Sequence, residues 1–175
     1  MDDIKEVEPT TKNIHENIFE DLTIVINKII DLTFEGLNKG ENKNRNKQHI
    51  LDYINNLKIN LQEIYIWLLN NQNNSSSICL LGYFNFHGIV VKVNKKEAIE
   101  LYQKATELEN RVTQLELAHI YVREENTDNY KKAFELSKIL AEEENPNALN
   151  RLGYCYEKGI GAIINIQRHL SCIKK

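Results

Sequence analysis

Residues 152–161 read LGYCYEKGIG, a stretch in which three glycines and two tyrosines lie close together. Its first three letters recur along the chain, as LGY at 81–83 and as LAH at 117–119, so that successive copies lie 36 and 35 residues apart. A fixed period of this length is typical of proteins built from stacked helical hairpins, each of which buries its apolar face against its neighbours. The stretch therefore predicts a repeat architecture.

A second block of sequence recurs at the same step. AIELYQKATELEN at 98–110 aligns without a gap with AFELSKILAEEEN at 133–145. Apolar residues in the first of these blocks fall three and four positions apart, which places them on one face of a helix. That face must be buried, so each unit contains two helices, one with the LGY motif and one with this block. The apolar face consists of Ala98, Leu101, Tyr102, Ala105 and Leu108.

Asparagines recur near the expected starts and the expected ends of these second helices. Asn94 begins an Asn-x-x-Glu capping box, in which two side chains satisfy backbone N–H groups at a helix start, and Asn129 and Asn165 occupy equivalent positions. We predict that all three begin a helix. Asn110 and Asn145 close the two matching blocks, and we predict that they end those helices.

The glycines of the motif have packing and capping roles in this interpretation. Gly82, Ala118 and Gly153 lie inside the first helix of each unit, where a small residue lets a neighbouring helix approach closely. Gly88 and Gly159 come six residues after their helical glycines, where a glycine in the left-handed conformation closes a helix. A phosphate-binding loop would instead follow a strand and supply the lysine and hydroxyl of GxxxxGKS/T, which these stretches lack.

LGYCYEKGIG at 152–161, with Asn165 after a short loop, and KKEAIELYQKA at 95–105 resemble the Sel-one-like repeat, also called the HCP-like repeat, a relative of the tetratricopeptide repeat. The resemblance covers residues 74–175. It implies a short all-α superhelix, or solenoid, whose first helices line a surface that suits protein or peptide binding. The middle copy departs from the pattern because charged residues replace both of its loop glycines.

The chain divides into two parts on this basis. We expect an N-terminal helical segment at 1–73, which begins with a disordered stretch. Repeat units then follow at about 74–110, 111–145 and 146–175, the last of them truncated.

The N-terminal part carries two apolar stripes at helical spacing, one at 18–37 and one at 50–68, which predict a pair of amphipathic helices. Asn60 could cap a fresh helix and divide the second, although the unbroken stripe favours little change of direction. The polar residues at 36–48 predict a loop between the two helices. This part is also similar to the segment between a protein kinase domain and the repeat array in some fungal signalling proteins.

Composition and charge exclude several classes of function. A net charge of −3 gives no electrostatic reason to expect nucleic acid or an anionic membrane as a partner, and no apolar run approaches the roughly 18 residues of a membrane span. The polar N-terminus lacks a secretory signal, so we expect a cytoplasmic protein. The cysteines have no CxxC spacing, and the kinase motifs GxGxxG, HRD and DFG are absent. We therefore expect no enzyme activity, cofactor or metal.

We interpret the chain as a non-enzymatic scaffold or adaptor that binds a protein or peptide partner in intracellular signalling. The alternative is a partial product or regulatory region of a longer kinase-linked protein, whose catalytic domain lies outside this chain. The candidate contact residues lie on the first helices of the units and do not belong to the predicted repeat core. They are Asn85, Gln114, Glu116, Arg123, Asn150 and Arg151.

The last unit presents apolar residues with little helix to cover them, whereas terminal repeats usually carry a polar outer face. These residues are Ile160, Ile163, Ile164, Ile166 and Leu170. We predict self-association through this truncated repeat.

Overall fold

The computed structural model describes the backbone of residues 11–123 and 127–173, and the side chains from residue 22 onward within those ranges. The described residues form nine α-helices and no strand, which confirms the predicted all-α fold. The predicted disordered start of the chain lies outside them. The helices are α1 (Thr11–Asn38), α2 (Lys43–Asn56), α3 (Leu61–Asn70), α4 (Ser75–His87), α5 (Lys95–Glu107), α6 (Arg111–Arg123), α7 (Thr127–Glu142), α8 (Pro146–Lys158) and α9 (Ile166–Ile173).

The last six helices form three hairpins that follow the predicted units. Helices α4 and α5 form the first hairpin, α6 and α7 the second, and α8 and α9 the third, and each hairpin packs against the next. The first helix of each hairpin carries the LGY or LAH motif, and the second begins near the predicted asparagine. This stacking confirms the helical-repeat solenoid.

Two of the three predicted asparagine caps are confirmed. Asn94 Oδ1 accepts a hydrogen bond from the backbone N–H of Glu97 at 3.2 Å, and Asn165 Oδ1 accepts one from Arg168 at 3.0 Å. Each bond satisfies a backbone donor that the first turn of a helix leaves without a partner. Asn129 departs from the pattern, because α7 has already begun at Thr127 and the asparagine lies within its first turn.

The prediction for Asn110 and Asn145 was wrong, because both residues begin the next helix. Asn110 Oδ1 accepts from the N–H of Thr113 at 3.1 Å, and Asn145 Oδ1 accepts from Ala148 at 3.0 Å. The preceding helices end earlier, at Glu107 and Glu142, and in each case a glutamate with positive φ follows two residues later. The turn between the two helices is therefore so short that the same asparagine closes the sequence block and caps the following helix.

The predicted roles of the motif glycines are confirmed. Gly88 and Gly159 have φ values of 62° and 71°, and their N–H groups bond back to the carbonyls of Phe84 and Cys155 to close α4 and α8. Gly82 lies against the buried ring of Tyr102 on α5, where an added Cβ would come within 2.7 Å of the ring. The absence of a side chain at this position lets α4 and α5 approach closely.

The N-terminal part contains three helices rather than a pair. Asn60 Oδ1 accepts from the N–H of Gln62 at 2.8 Å, so the second apolar stripe is divided into α2 and α3. The loop predicted at 36–48 is much shorter, because α1 continues to Asn38 and α2 begins at Lys43. Most of the polar residues there are compatible with a helix, and Asn42 caps α2 by accepting from the N–H of Arg45 at 2.9 Å.

Helix α1 crosses the first helices of all three hairpins, since it packs against α4, α6 and α8. Phe34 and Leu37 contact the apolar cluster that α6, α7 and α8 share. Near the end of α1, Asn38 Oδ1 accepts a hydrogen bond from Asn145 Nδ2 at 2.8 Å. Side chains of α1, α2 and α3 also share one buried core with α4 and α5. The N-terminal helices therefore cover the open side of the first hairpin; the division at residue 73 stays a prediction.

The third hairpin leaves apolar side chains exposed on α9 and the loop before it. Ile163 is 90% exposed, and Ile164, Ile166 and Leu170 are all about half exposed. Ile160 is 7% exposed and does not belong to this surface, contrary to the sequence prediction. It directly follows the left-handed Gly159, and its N–H bonds back to the Cys155 carbonyl, which turns the residue inward.

Candidate protein-binding groove

A groove runs between the first helices of the second and third hairpins, and we call it the α6–α8 groove. It comprises two adjoining cavities of about 340 and 500 Å³ that share His119, Arg123, Asn147 and Arg151. The loop between α1 and α2 lines the smaller cavity. The further lining residues are Leu37, Gly40, Glu41, Asn42, Lys43, Leu115 and Glu116 in the smaller cavity, and Val122, Asn150 and Tyr154 in the larger.

Helical spacing explains which side chains enter the groove. His119 and Arg123 lie four residues apart on α6, and Asn147 and Arg151 lie four apart on α8, with Tyr154 three further on. Residues at these spacings share a helix face. The opposite faces of both helices carry the apolar residues of the repeat core, so the polar faces are left to line the groove.

A partly buried ion pair lies at the α1–α2 end of the groove. Lys43 Nζ lies 3.0 Å from Glu116 Oε2, and the Glu116 side chain is only 4% exposed. Lys43 Nζ also lies 4.7 Å from the centre of the Phe86 ring. Because a buried carboxylate must be compensated, Lys43 neutralises the negative charge that Glu116 would otherwise place at the groove floor.

His119 is held in its neutral form. Burial lowers its pKa to about 3, and the nearby charges of Lys43, Arg151 and Arg123 act in the same direction. Arg151 Nη1 lies 3.1 Å from His119 Nδ1. Arginine can only donate, so Nδ1 of the neutral imidazole accepts this hydrogen bond and the ring proton resides on Nε2.

Two buried donors beside this histidine have no hydrogen-bond partner within the described part of the chain. They are Arg151 Nε and Asn147 Nδ2. Both residues line both cavities. A buried donor without an acceptor costs about 1–3 kcal/mol, so these two atoms give the groove an unmet capacity to bind an acceptor.

The sequence-predicted site residues fall into two groups. Glu116, Arg123, Asn150 and Arg151 come together along the groove. Asn85 and Gln114 lie elsewhere, and neither lines these cavities. Asn85 is only 7% exposed, and its side chain donates to the carbonyl of Leu81 one turn earlier, at 2.9 Å. Gln114 is partly buried one turn into α6.

Among the polar side chains of α6 and α8 that line the groove, sequence reasoning missed three. His119 is a half-buried residue of α6, and its contact with Arg151 also holds that side chain in place. Asn147 and Tyr154 were not considered. Their spacing from Arg151, four residues before and three after, is the signal that could have identified them.

The described residues offer little for catalysis. Burial raises the pKa of the Cys155 thiol to about 11, and it raises the pKa of the Cys79 thiol still further. Both groups are therefore protonated thiols rather than nucleophilic thiolates at neutral pH. Within the side chains that the structure describes, no three histidine, cysteine or acidic residues cluster as metal ligands would. None of the helices, over their described lengths, is both long enough and apolar enough to span a bilayer.

The fold and the groove define a helical-repeat protein with a groove between the first helices of two successive repeats. Comparison with protein families supports this class, because residues 75–110 and 146–168 match the Sel1 repeat. These segments correspond to the first hairpin and to most of the third. The chain is thus similar to Sel1-repeat proteins in two places, and Sel1 repeats are generally protein-interaction modules. A comparison with curated proteins found no match to this chain.

Proposed function

We propose that this protein is a non-enzymatic interaction scaffold that binds a peptide segment of a partner protein in the α6–α8 groove. The observation that carries the proposal is the groove itself, which places polar side chains of α6 and α8 around about 500 Å³ of open space. The matching Sel1 repeats support the same class of function.

The residues of the groove have the composition of a binding surface. Arginine and tyrosine are enriched where proteins contact one another, and the groove contains Arg123, Arg151 and Tyr154. Tyr154 is 43% exposed, so its ring can stack on a bound side chain without a rearrangement of the core. We centre the proposed contact surface on these three residues and Asn150.

A random-peptide library tests the proposal. The wild-type protein should enrich a set of related peptides, and Asn150→Trp, which fills the larger cavity from an exposed position, should weaken binding of their synthetic copies about tenfold or more. Lys96→Trp is the matched control, because Lys96 lies on the exposed face of α5. If no peptide family is enriched, or if Asn150→Trp binds as well as the control, the groove is not a peptide-binding site.

We also propose the finer assignments that the sequence suggested, namely a cytoplasmic adaptor in signalling. A link to a protein kinase is the alternative form of this assignment. The gene sequence on either side of the region encoding this chain would distinguish the two, since a kinase domain there would favour the alternative.

A second copy of the chain is our proposed occupant of the apolar surface on the third hairpin. The exposed side chains of Ile163, Ile164, Ile166 and Leu170 form the basis of this proposal. Paired copies that bury the same patch on each subunit are the commonest kind of oligomer, and such pairing would cover a surface of this kind.

A further inference from the structure

We propose that the α6–α8 groove selects a peptide with an aspartate or glutamate side chain, whose carboxylate binds Arg151 and Asn147. This inference rests on the proposed function and names the chemistry of its partner. It is carried by two buried donors that the protein itself does not satisfy and by the balance of charge around them.

Arg151 presents one edge of its guanidinium for this role. Its Nη1 donates to His119 Nδ1 at 3.1 Å, which fixes the plane of the group. Nε is buried and has no acceptor among the described residues. Nε and Nη2 form the side edge of a guanidinium, and the two N–H groups on this edge can bind both oxygens of a carboxylate. The contact with His119 therefore leaves free the edge that matches a planar anion.

Asn147 supplies a further donor next to this edge. It lies one turn before Arg151 on α8, so the two side chains are neighbours on the same face of the helix. Its Nδ2 is buried and likewise without a partner. One acidic side chain that accepts hydrogen bonds from Arg151 and Asn147 would satisfy both donors. A neutral apolar side chain would leave them unpaired, which favours the acidic one.

The charges around the larger cavity favour an anion. The charged residues in its lining are Arg123 and Arg151, and neither forms an ion pair with a described carboxylate. Glu116 and Glu41 both line the smaller cavity, where Glu116 Oε2 lies 3.0 Å from Lys43 Nζ and Glu41 Oε2 lies 3.2 Å from His49 Nδ1. His119 is neutral, so it neither adds to nor opposes this preference at physiological pH.

A side chain within a peptide fits the site better than the carboxylate at a chain end. The larger cavity is an open furrow between two helices, with Asn150 and Tyr154 further along it. A peptide can therefore continue past Arg151 on both sides and contact these residues. We accordingly expect the acidic residue to occupy an internal position of the bound peptide.

The peptides that the wild-type protein enriches from the library provide the test. Synthetic copies with amidated C-termini should contain an aspartate or glutamate at one shared position. Replacement of that residue by its amide, Asn or Gln, should weaken binding about tenfold or more in fluorescence anisotropy, because a charge-assisted bidentate contact is lost. Binding should also weaken between about 50 and 300 mM salt.

Arg151→Lys and Arg111→Lys form a matched pair of protein variants. Both keep a positive charge, but Arg111 lies at the exposed start of α6, where it pairs with Glu143 at 3.0 Å. Arg151→Lys loses the planar edge and should weaken the acidic peptide about tenfold while it leaves the amide peptide unchanged. Arg111→Lys should bind both peptides as the wild type does. Thermal unfolding and circular dichroism identify any loss of folding.

The outcomes separate this inference from the proposed function. If the enriched peptides share no acidic residue, or if acidic and amide forms bind equally, the carboxylate inference is overturned while peptide binding in the groove survives. The same holds if Arg151→Lys binds the acidic peptide as tightly as Arg111→Lys does. If only peptides with a free C-terminal carboxylate bind, the groove recognises a chain end, and the inference of an internal acidic side chain is overturned. Only the failure of the library, or of the Asn150→Trp comparison, removes the proposed function itself.

Discussion

The first and third hairpins share a sequence motif but differ in how they are covered. Helix α4 is buried along most of its length, because α1, α3 and α5 all pack against it. Helix α9, at the far end, buries only Cys172 among its described side chains and leaves Ile166, Leu170 and Ile173 about half exposed. The same repeat therefore produces a closed end and an open end, depending on what lies next to it.

This difference shows why the N-terminal helices matter. A solenoid repeat cannot bury its apolar face by itself and needs a neighbour on each side. Helices α1–α3 supply that neighbour for the first hairpin and share one core with it. Helix α1 then extends to the groove, where Leu37 and the following loop line one end. The cap that stabilises the repeats thus also shapes the proposed binding site.

The largest effect should come from a cavity in the closed end. Leu68 on α3 is fully buried in the core shared with the first hairpin, so Leu68→Ala should lower the free energy of unfolding by about 2–5 kcal/mol. Ile66 on the same helix is half exposed, and Ile66→Ala should cost about 0.5 kcal/mol or less. Urea unfolding measures both. Equal effects would show that α3 is not an integral part of the fold.

The next effect compares the same motif position in the two hairpins. At Gly82 an added Cβ would come within 2.7 Å of the fully buried Tyr102 ring, so Gly82→Ala should cost about 1–3 kcal/mol. At Gly153 the nearest atom is Cys172 Cβ at 3.3 Å, and the higher helix propensity of alanine offsets this tighter contact.

Gly153→Ala should therefore change the free energy of unfolding by less than about 1 kcal/mol in either direction. Chemical denaturation of the two variants under the same conditions measures the contrast. A larger loss for Gly153→Ala than for Gly82→Ala would mean that the open end is packed more tightly than the closed end.

A smaller effect should appear as a dependence of stability on pH. Burial lowers the pKa of His87 to about 4 and that of His119 to about 3, from 6.5. Between these values and 6.5 the unfolded chain binds more protons than the folded one, so stability falls as the pH is lowered through this window. Each histidine should contribute on the order of 1–2 kcal/mol, after allowance for the solvent screening of half-buried groups.

The double variant His87→Gln, His119→Gln should lose part of this pH dependence, and His49→Gln is the control because His49 is exposed. Thermal unfolding between about pH 4 and 7 measures the slope. An unchanged slope in the double variant would show that neither imidazole is held neutral by the fold.

The smallest expected effect on folding lies at the open end. Ile163→Ser and Ile164→Ser together should change the free energy of unfolding by about 0.5 kcal/mol or less, since both side chains are exposed. They should nevertheless weaken self-association, because apolar area would no longer be buried between copies. Sedimentation velocity over a range of concentrations follows this change. A wild-type protein that sediments as a monomer at every concentration would contradict the proposed pairing.

Much of the repeat could be predicted from the sequence because its signals are local. Gly88, Gly159, Asn94 and Asn165 act within one turn of a helix end, and their backbone roles are as predicted. Asn110 and Asn145 are the exception. A single asparagine between two helices is compatible with ending one or beginning the next, and the length of the turn decides between them.

The groove could be predicted only in part, because it combines residues far apart in the chain. Glu116 and Arg151 were accessible from the repeat pattern, which shows which positions of a first helix the core leaves free. The contribution of Lys43 was not, since it depends on the path of α1 across three other helices. Likewise, Asn85 is buried because neighbouring helices cover it, and the repeat pattern of the sequence does not predict this contact.

The most direct test of the account is to locate a library-selected peptide on the protein by NMR. We predict that titration of ¹⁵N-labelled protein shifts backbone signals of residues 115–123 and 147–154 most strongly, together with the Nε–H signal of Arg151. Signals from α5 and α7, on the outer side of the hairpins, should change little. Shifts concentrated on α5, α7 or the apolar end of α9, with α6 and α8 unaffected, would contradict the claim that the α6–α8 groove is the interaction surface.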